Sequence, residues 1–283
     1  MATGAGLRRS VRGALALLVV VGTVIALLTA FQRQLIYFPD SSPVPPAATV
    51  IEDARDIELH TADGLELGAW FAPAPTGVEG RGYAVLVAPG NGGNRLGRVE
   101  LLRQLNAHGF AVLAMDYRGY GGNPGSPSEE GLALDANAAV DALEELGYPS
   151  QRTIYFGESL GTGVVAALQE RRTPAGIVLR SPFTALADVG AHHYPWLPVR
   201  WLLRDRFPVV EHIASTRVPV TVIYGDRDSV VPSQQSAEVA ESAPNLVESV
   251  VLHADHNDGA MFGSRVVAAV GRLARHASRG EVA

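Results

Sequence analysis

The 283-residue sequence contains no cysteine, no lysine and few charged residues, which make up 18% of the chain. Without cysteine, the chain has no disulfides, no thiol nucleophile and no cysteine-based zinc site. The net charge of −6 and the absence of a basic stripe give no reason to expect nucleic-acid binding. The chain is instead rich in hydrophobic residues, at 47%, which excludes a disordered composition. Its length allows one large α/β domain or two small domains.

A long uncharged run lies near the N-terminus. The segment 13–31, GALALLVVVGTVIALLTAF, has 19 residues and no charge. As a helix it would span about 28 Å, close to the thickness of the hydrocarbon core of a bilayer. Arg8, Arg9 and Arg12 precede the run, whereas only Arg33 follows it closely. This asymmetry predicts a single-pass protein with a cytoplasmic N-terminus and the bulk of the chain on the outer side of the membrane.

Two other interpretations of this run remain open. A cleaved signal peptide would end at Ala30, but Leu28 is too large for the position two residues earlier. A buried core helix would show a polar side, and none interrupts the run. We therefore predict an uncleaved signal anchor.

The anchor divides the chain into four predicted parts. A short basic N-terminus, 1–12, precedes the transmembrane helix, 13–31, and a proline-rich linker, 32–49, follows it. The linker includes PDSSPVPPAA and is predicted to be an extended spacer. The folded domain is predicted to cover 50–283. A protein that starts near Val50 is expected to be less membrane-bound, and to keep its activity if the segment QLIYFP (34–39) is not essential to the core.

Short apolar runs alternate with helix-like segments along the rest of the chain. Apolar runs without interruption are typical of strands that are buried on both faces. The alternation predicts a mostly parallel twisted sheet with helices on both faces. The predicted strands are 57–61, 67–73, 83–89, 110–117, 153–157, 176–180, 220–225 and 249–253. The predicted helices are 95–107, 131–146, 160–171, 233–242 and 260–275.

The segment 181–216 interrupts this alternation. It contains four prolines among aromatic residues and is too long for a simple loop, so we predict a small helical cap inserted between two strands. Trp196, Trp201 and Phe207 are expected to pack within the cap.

The sequence Gly-x-Ser-x-Gly joins a predicted strand to a predicted helix. Gly157, Ser159 and Gly161 form this motif. In this setting the motif forms a sharp elbow, in which the flanking glycines avoid clashes and the serine hydroxyl is exposed above the sheet. The motif predicts that Ser159 is a nucleophile, although a simple turn is the alternative.

A serine nucleophile needs a base, and the later loops supply candidates. We assign His256, in the loop after the last strand, as the general base and Asp228 as the carboxylate that orients it. Asp226 is expected to be a turn residue, and His253 to belong to the strand. A metal site of His253, His256 and Asp258 is a weaker alternative, because its spacing matches no strong template. No metal and no cofactor are therefore expected.

The oxyanion of an acyl-transfer reaction needs backbone donors. The N–H of Leu160 follows the nucleophile, and Asn91 lies in a glycine-rich loop after the strand 83–89, so these two residues are the predicted donors. The alternative of a phosphate-binding loop is weak, because GNGGNR has no Lys-Ser/Thr ending and does not match Gly-x-Gly-x-x-Gly.

These motifs together resemble the α/β-hydrolase superfamily, and within it the membrane-anchored branch of Bem-like, abhydrolase-domain serine hydrolases. The resemblance covers residues 31 to about 275. The motifs that carry it, in chain order, are QLIYFP (34–39), PGNGGN (89–94), DYRGYGGNPGSPSEEGLALDA (116–136), GESLGTG (157–163), SPFTAL (181–186), GDRDSVVP (225–232) and HND (256–258). The resemblance implies the α/β-hydrolase fold and a triad of Ser159, Asp228 and His256. One departure is Pro89, where many relatives have histidine.

Two classes of function follow from the sequence. The first is a serine hydrolase of ester or thioester bonds that acts near a membrane on acyl substrates. The second is a non-catalytic binding or scaffold protein with the same fold. The intact triad favours the first class. The acyl-chain length, the preference for ester, thioester or peptide bonds, and the oligomeric state are not indicated.

Overall fold

The computed structural model describes residues 3–76 and 82–280. Within these residues, ten strands follow the chain. They are β1 (Phe38–Pro39), β2 (Arg55–His60), β3 (Glu66–Ala72), β4 (Ala84–Ala88), β5 (Gly92–Gly93), β6 (Ala111–Met115), β7 (Thr153–Glu158), β8 (Gly176–Arg180), β9 (Val220–Gly225) and β10 (Leu246–Leu252).

The α-helices of the same residues alternate with the strands. They are α1 (Thr3–Ile36), α2 (Val99–Ala107), α3 (Glu129–Glu145), α4 (Leu160–Leu168), α5 (Leu186–His193), α6 (Val199–Leu202), α7 (Val209–Ala214), α8 (Ser233–Ser242) and α9 (Ser264–Gly280). Short 3₁₀ turns occupy Ala47–Thr49, Arg95–Arg98, Ser150–Arg152 and Gly259–Phe262.

Eight of the described strands form one sheet, in the order β10-β9-β8-β7-β4-β6-β3-β2. Only β2 with β3 and β3 with β6 are antiparallel, and the other neighbours are parallel. Successive residues of β7 lie in different core clusters, Tyr155 on one side of the sheet and Phe156 on the other. Burial on both faces explains why these strands are unbroken apolar runs, and the predicted α/β fold is confirmed.

The N-terminal helix is longer than predicted. Within α1, Arg12–Ile36 is long and apolar enough to cross a membrane by length and composition, although a signal sequence passes the same test. The helix continues to Ile36, whereas the sequence predicted its end at Phe31. Ile36 and the following Tyr37 are buried in the main core. This burial favours the extra helical turn over an extended linker.

The segment predicted as a spacer packs against the domain instead. Strand β1 pairs in parallel with β5, with Phe38 opposite Gly92. Farther along, Ala47 is fully buried and its N–H donates to the Asp56 carboxylate at 3.1 Å. After α1, the prolines limit regular structure in this segment to β1 and one 3₁₀ turn, but burial and hydrogen bonds fix the segment to the domain. The prediction of a free spacer over 32–49 is therefore wrong.

The end of α1 is also bonded to the chain between α6 and α7. The guanidinium of Arg33 donates two hydrogen bonds to the carboxylate of Asp205, at 3.0 and 3.1 Å. The Tyr37 hydroxyl donates to the same carboxylate at 2.9 Å. The Gln32 side chain accepts from the Arg204 N–H at 2.8 Å. These contacts fix the last turn of the helix to the cap.

The insertion after β8 contains α5, α6 and α7, and its aromatic residues do not all pack inside it. Phe207 is 2% exposed, as expected, and it lies against Gly163 of α4. In contrast, Trp196 is 72% exposed and Trp201 is 89% exposed. The expectation that both tryptophans pack the cap is wrong.

Candidate active site

The serine of the Gly-x-Ser-x-Gly motif lies between the end of β7 and the start of α4. Its backbone has φ +50° and ψ −114°, a conformation that non-glycine residues rarely adopt. The Ser159 N–H donates to the carbonyl of Arg180 on the neighbouring strand at 2.8 Å. A Cβ on Gly157 would lie 2.6 Å from the carbonyl oxygen of Gly161, and one on Gly161 would meet the carbonyls of Ala88 and Pro89. The chain therefore needs both glycines to make this turn.

The predicted base and its predicted carboxylate are hydrogen-bonded. His256 Nδ1 lies 2.7 Å from Asp228 Oδ2, and both side chains are buried. The other oxygen, Asp228 Oδ1, accepts from the N–H groups of Val230 and Val231 at 2.9 and 2.7 Å. Burial alone would raise the pKa of Asp228, but the bonds from His256 and the two N–H groups lower it below its usual value. An ionised carboxylate on Nδ1 leaves Nε2 as the nitrogen that can accept a proton.

Ser159 and His256 line the same cavity, which has a volume of about 460 Å³. The cavity lies at the carboxyl ends of the central strands, where binding sites of open α/β sheets form. Its lining residues are Phe38, Gly90, Asn91, Gly92, Gly97, Arg98, Glu158, Ser159, Val230, His256, Asn257 and Phe262. A larger cavity, about 650 Å³, is lined by residues near the opposite ends of the strands, including Gln151 and Pro219, and it contains none of the predicted catalytic residues.

Of the two predicted oxyanion donors, Leu160 directly follows Ser159 and Asn91 lines the same cavity. Leu160 is the first residue of α4, so its N–H has no partner within the helix. Asn91 uses its other polar groups elsewhere. Its carbonyl accepts from the Phe38 N–H and the Tyr120 hydroxyl, both at 2.8 Å, and its Nδ2 donates to the Ile36 carbonyl at 2.6 Å. These contacts fix the loop through the N-terminal segment.

A buried ion cluster lies beneath the cavity, and sequence reasoning missed it. Glu158 accepts from Arg98 at 2.7 and 3.2 Å, and a nitrogen of Arg180 lies 3.0 Å from the same carboxylate. Burial alone would raise the pKa of Glu158, but the guanidinium groups of Arg180 and then Arg98 lower it to about 2. No role was predicted for Glu158 from the sequence. Its neighbour in the strand register is Arg180, and two opposite charges at the ends of adjacent apolar strands were the available signal.

The two arginines connect Glu158 to both sides of the cavity. Arg98 donates to the carbonyls of Gly92 and Asn94, in the loop that carries Asn91, at 3.0 and 3.3 Å. Arg180 donates to the carbonyl of His256 at 2.9 Å. The cluster therefore holds the predicted oxyanion loop and the histidine loop against the serine elbow.

The remaining candidates do not join this site. His253 follows the end of β10, is exposed, and contacts Asp226 at 2.9 Å. The Asp258 carboxylate accepts from the N–H of Asp255 at 2.7 Å. Among the described residues, no group of three or more histidine or acidic side chains is placed to hold a metal ion. The geometry thus gives the alternative metal site no support.

Comparison with known proteins places this geometry in a family. The profile described as Hydrolase_4, serine aminopeptidase, S33, matches residues 82–209. The chain is 48% identical over 246 residues to the uncharacterized protein Rv2307c of Mycobacterium tuberculosis. The matched region covers 86% of this chain and 87% of that protein. It is also 32% identical to the alpha/beta hydrolase domain-containing protein WAV2 of Arabidopsis thaliana, over 74% of each chain.

The fold has solved counterparts as well. An esterase of Pyrococcus furiosus superposes with a TM-score of 0.69 at 23% identity and covers 85% of this chain and 97% of its own. The esterase domain of a Rhodothermus marinus protein superposes with a TM-score of 0.60 at 20% identity, over 79% of this chain and 98% of its own. These similarities concern the fold alone. Together with the WAV2 similarity, the strand order and the serine elbow, they show that the chain belongs to the α/β-hydrolase superfamily.

Proposed function

We propose that this protein is a membrane-anchored serine hydrolase that cleaves ester or thioester bonds of acyl substrates through Ser159, His256 and Asp228. The observation that carries the proposal is the meeting of a positive-φ serine and a carboxylate-bound histidine at one cavity. The Bem-like branch, to which the sequence motifs point, is part of the proposal.

In the first half of the proposed reaction, His256 Nε2 takes the proton of Ser159 as the serine oxygen attacks the acyl carbonyl carbon. The resulting oxyanion accepts hydrogen bonds from the N–H groups of Leu160 and Asn91. Asp228 holds the imidazole ring in place and stabilises its positive charge. The C–O or C–S bond then breaks, and the departing alcohol or thiol takes the proton from His256. This leaves an acyl group on Ser159.

In the second half, water attacks the acyl-enzyme. His256 takes a proton from the water, and a second tetrahedral intermediate forms, which the N–H groups of Leu160 and Asn91 stabilise as they did the first. Ser159 leaves with the proton from His256, and a free carboxylic acid is released. No cofactor or metal takes part in any step.

The charges of the cavity favour acyl esters over peptides with a free amino terminus. An aminopeptidase needs an acidic group to bind the substrate ammonium. Among the described residues that line the cavity, Glu158 is the only acidic side chain, and it is paired with Arg98 and Arg180. Its charge is therefore already neutralised.

The membrane part of the proposal rests on α1. Its apolar segment is long enough to span a bilayer, and three arginines precede it. The positive-inside rule then places the N-terminus in the cytoplasm and the hydrolase domain on the outer side of a single-pass protein.

The test is labelling with a fluorophosphonate probe together with turnover of a soluble short-chain ester. Ser159→Ala is expected to abolish labelling, and His256→Ala to lower ester turnover by at least about 10³-fold, because both act in the chemical step. His253→Ala is the matched control, since this exposed histidine lies outside the cavity, and its turnover should stay within about twofold. Unchanged labelling of Ser159→Ala would refute Ser159 as the nucleophile, and equal effects of the two histidine variants would refute His256 as the base. A wild type that is neither labelled nor active on the ester would favour the non-catalytic alternative.

A further inference from the structure

Two of the three tryptophans of the chain are exposed on the cap. Trp201 lies in α6, and Trp196 and the half-exposed Tyr194 lie in the loop before it, whereas Trp70 is buried in the core. Large exposed aromatic side chains in one segment mark a surface that contacts something else. We refer to Tyr194, Trp196 and Trp201 as the cap aromatic face.

The position of this face relative to the apolar helix follows from hydrogen bonds. Gln32 donates to the carbonyl of Leu202 at 3.4 Å and accepts from the N–H of Arg204 at 2.8 Å. Gln32 is the first residue after the uncharged run, and Leu202 directly follows Trp201. The segment that carries Trp201 is therefore bonded to α1 where its hydrocarbon-spanning part ends.

The packing of α1 extends this contact along the helix axis. Ile25 and Leu28 are half-buried, and Gln32 and Ile36 are buried, so one side of the last three helical turns faces the domain. Ile25 lies six residues before Phe31, the end of the uncharged run, which corresponds to about 9 Å along the axis. A bilayer that covers the whole apolar run therefore also covers part of the domain surface beside it. The covered length of about 9 Å falls within the roughly 5–10 Å to which interfacial protein surfaces are buried at the boundary between headgroups and acyl chains.

The residue types of the cap suit this depth. Tryptophan and tyrosine are enriched at the membrane interface because one end of the ring is apolar and the other is polar. Exposed Arg204 and Arg206 follow the cap aromatic face in the chain. Aromatic side chains beside cations are the composition of surfaces that lie in the interface plane of a bilayer.

The candidate catalytic cavity lies near the end of α1, close to the proposed depth of the cap aromatic face. Phe38 is exposed and also lines the cavity, two residues after the end of α1. Asn91, at the cavity wall, donates to the carbonyl of Ile36, the last residue of α1. The cavity therefore lies beside the point at which the helix leaves the bilayer.

We propose that the cap aromatic face, together with Phe38, is a bilayer-contact surface, and that it seats the cavity at the boundary between headgroups and acyl chains. The substrate class is then an acyl ester that resides in the bilayer, and this part rests on the proposed hydrolase function. The occupant is the membrane into which α1 inserts, because the surface is continuous with the last turns of that helix.

The first test measures contact without using activity. Full-length protein is reconstituted in phosphatidylcholine and phosphatidylglycerol vesicles in which the acyl chains carry bromine near the headgroups. Bromine is expected to quench most of the tryptophan emission of the wild-type protein and little of that of W196F/W201F, which keeps only the buried Trp70. Equal fractional quenching of the two proteins, or no quenching of the wild type, would overturn the proposal.

The second test measures use of a bilayer substrate. W196S/W201S is expected to hydrolyse a long-chain acyl ester in vesicles at least about tenfold more slowly than the wild type, because the cavity is no longer seated at the boundary. Its turnover of a soluble short-chain ester should stay within about twofold. Val251→Ser, an exposed position on β10, is the matched control and should change neither rate.

The outcomes separate the two proposals. Equal loss on both esters would mean that the tryptophans stabilise the cap, and it would overturn the bilayer surface. No turnover of either ester by the wild type would refute the hydrolase function, while the quenching result would still decide the surface. A cross-linked dimer that disappears in W196S/W201S, without quenching of the wild type, would assign the face to a second copy of the chain.

Discussion

The elbow at Ser159 depends on glycine because backbone atoms occupy the space where a side chain would point. A methyl group on Gly161 would meet the carbonyl oxygens of Ala88, the last residue of β4, and of Pro89, which directly follows it, and this backbone cannot move independently of the central sheet. Gly161→Ala is therefore expected to lower the free energy of unfolding by about 3 kcal/mol or more. Denaturant unfolding of the full chain in detergent measures this loss.

Gly97→Ala is the control for that variant. Gly97 also lines the cavity, but nothing lies within 4 Å of the position of its missing Cβ. The free energy of unfolding should change by less than about 1 kcal/mol. If both variants lost the same free energy of unfolding, the close carbonyl groups at the elbow would not be the reason why the chain needs glycine at position 161.

Glu158 gives a prediction with a pH signature. Its pKa falls from 4.5 to about 2 in the folded protein, because Arg180 and Arg98 outweigh the effect of burial. A lowered pKa contributes stability above the unfolded value and loses it as the pH falls through the folded value. Glu158→Gln should therefore be less stable than the wild type at pH 7, by about 3 kcal/mol. This difference should shrink as the pH falls from about 4.5 toward 2.

Unfolding of both proteins across this pH range provides the measurement. The cluster also positions two loops, so Glu158→Gln should lower kcat for a soluble ester more than it raises KM. A stability difference that stays constant with pH would show that Glu158 contributes by packing and not by its charge.

At the scale of elements, the N-terminal segment belongs to the active-site framework. Strand β1 pairs with the loop that carries Asn91, and Tyr37 is buried against Asp205. A chain that starts at Val50 loses these partners, which belong to the segment QLIYFP (34–39), so its kcat is expected to fall at least about tenfold. A chain that starts at Phe31 lacks most of the apolar run but keeps the partners, and it is the matched control.

Both shortened chains are assayed on a soluble short-chain ester with thermal unfolding alongside. The chain from Phe31 should keep its turnover within about threefold of the full-length protein. Equal turnover of the two shortened chains would contradict a role for residues 31–49 in the site.

The elements of the sheet could be predicted closely, because strands buried on both faces leave an unmistakable apolar run. The predicted range 176–180 coincides with β8, and 220–225 coincides with β9. The packing of 32–49 could not be predicted in this way, since its partners Gly92 and Asp205 lie far along the chain. Local patterns indicate what a segment cannot form, but they do not indicate which distant surface it covers.

Part of the candidate site could be predicted from the sequence, and part of it depends on contacts between distant segments. Ser159, Asp228 and His256 were predicted because each follows a strand, and the carboxyl ends of parallel strands meet at one edge of a sheet. The bond from Arg98 to Glu158 joins side chains that are 60 residues apart in the chain, so no local pattern indicates it. The Glu158–Arg180 pair could be predicted from the ends of two adjacent strands, but this requires knowing the register of those strands.

For the whole molecule, the charges around α1 predict its orientation. The full-length protein is expected to stay in the membrane fraction through high-salt and carbonate washes, because a lone apolar helix is held by the hydrophobic effect and not by charge. Protease added to intact spheroplasts should digest the hydrolase domain and leave an N-terminal tag protected. Digestion of the domain only after lysis would place it in the cytoplasm.

The hydrogen-bonded connection between α1 and the domain also changes the kinetics that the protein should follow. A domain on a loose tether samples a volume around its anchor, whereas this domain is fixed to the helix by Arg33, Tyr37 and β1. With α1 anchored as proposed, the domain would encounter only those molecules that diffuse laterally past the helix in the same leaflet. Its turnover of a bilayer ester should therefore follow the mole fraction of that ester in the membrane. Adding inert lipid should slow the reaction even when the total concentrations of enzyme and ester are unchanged.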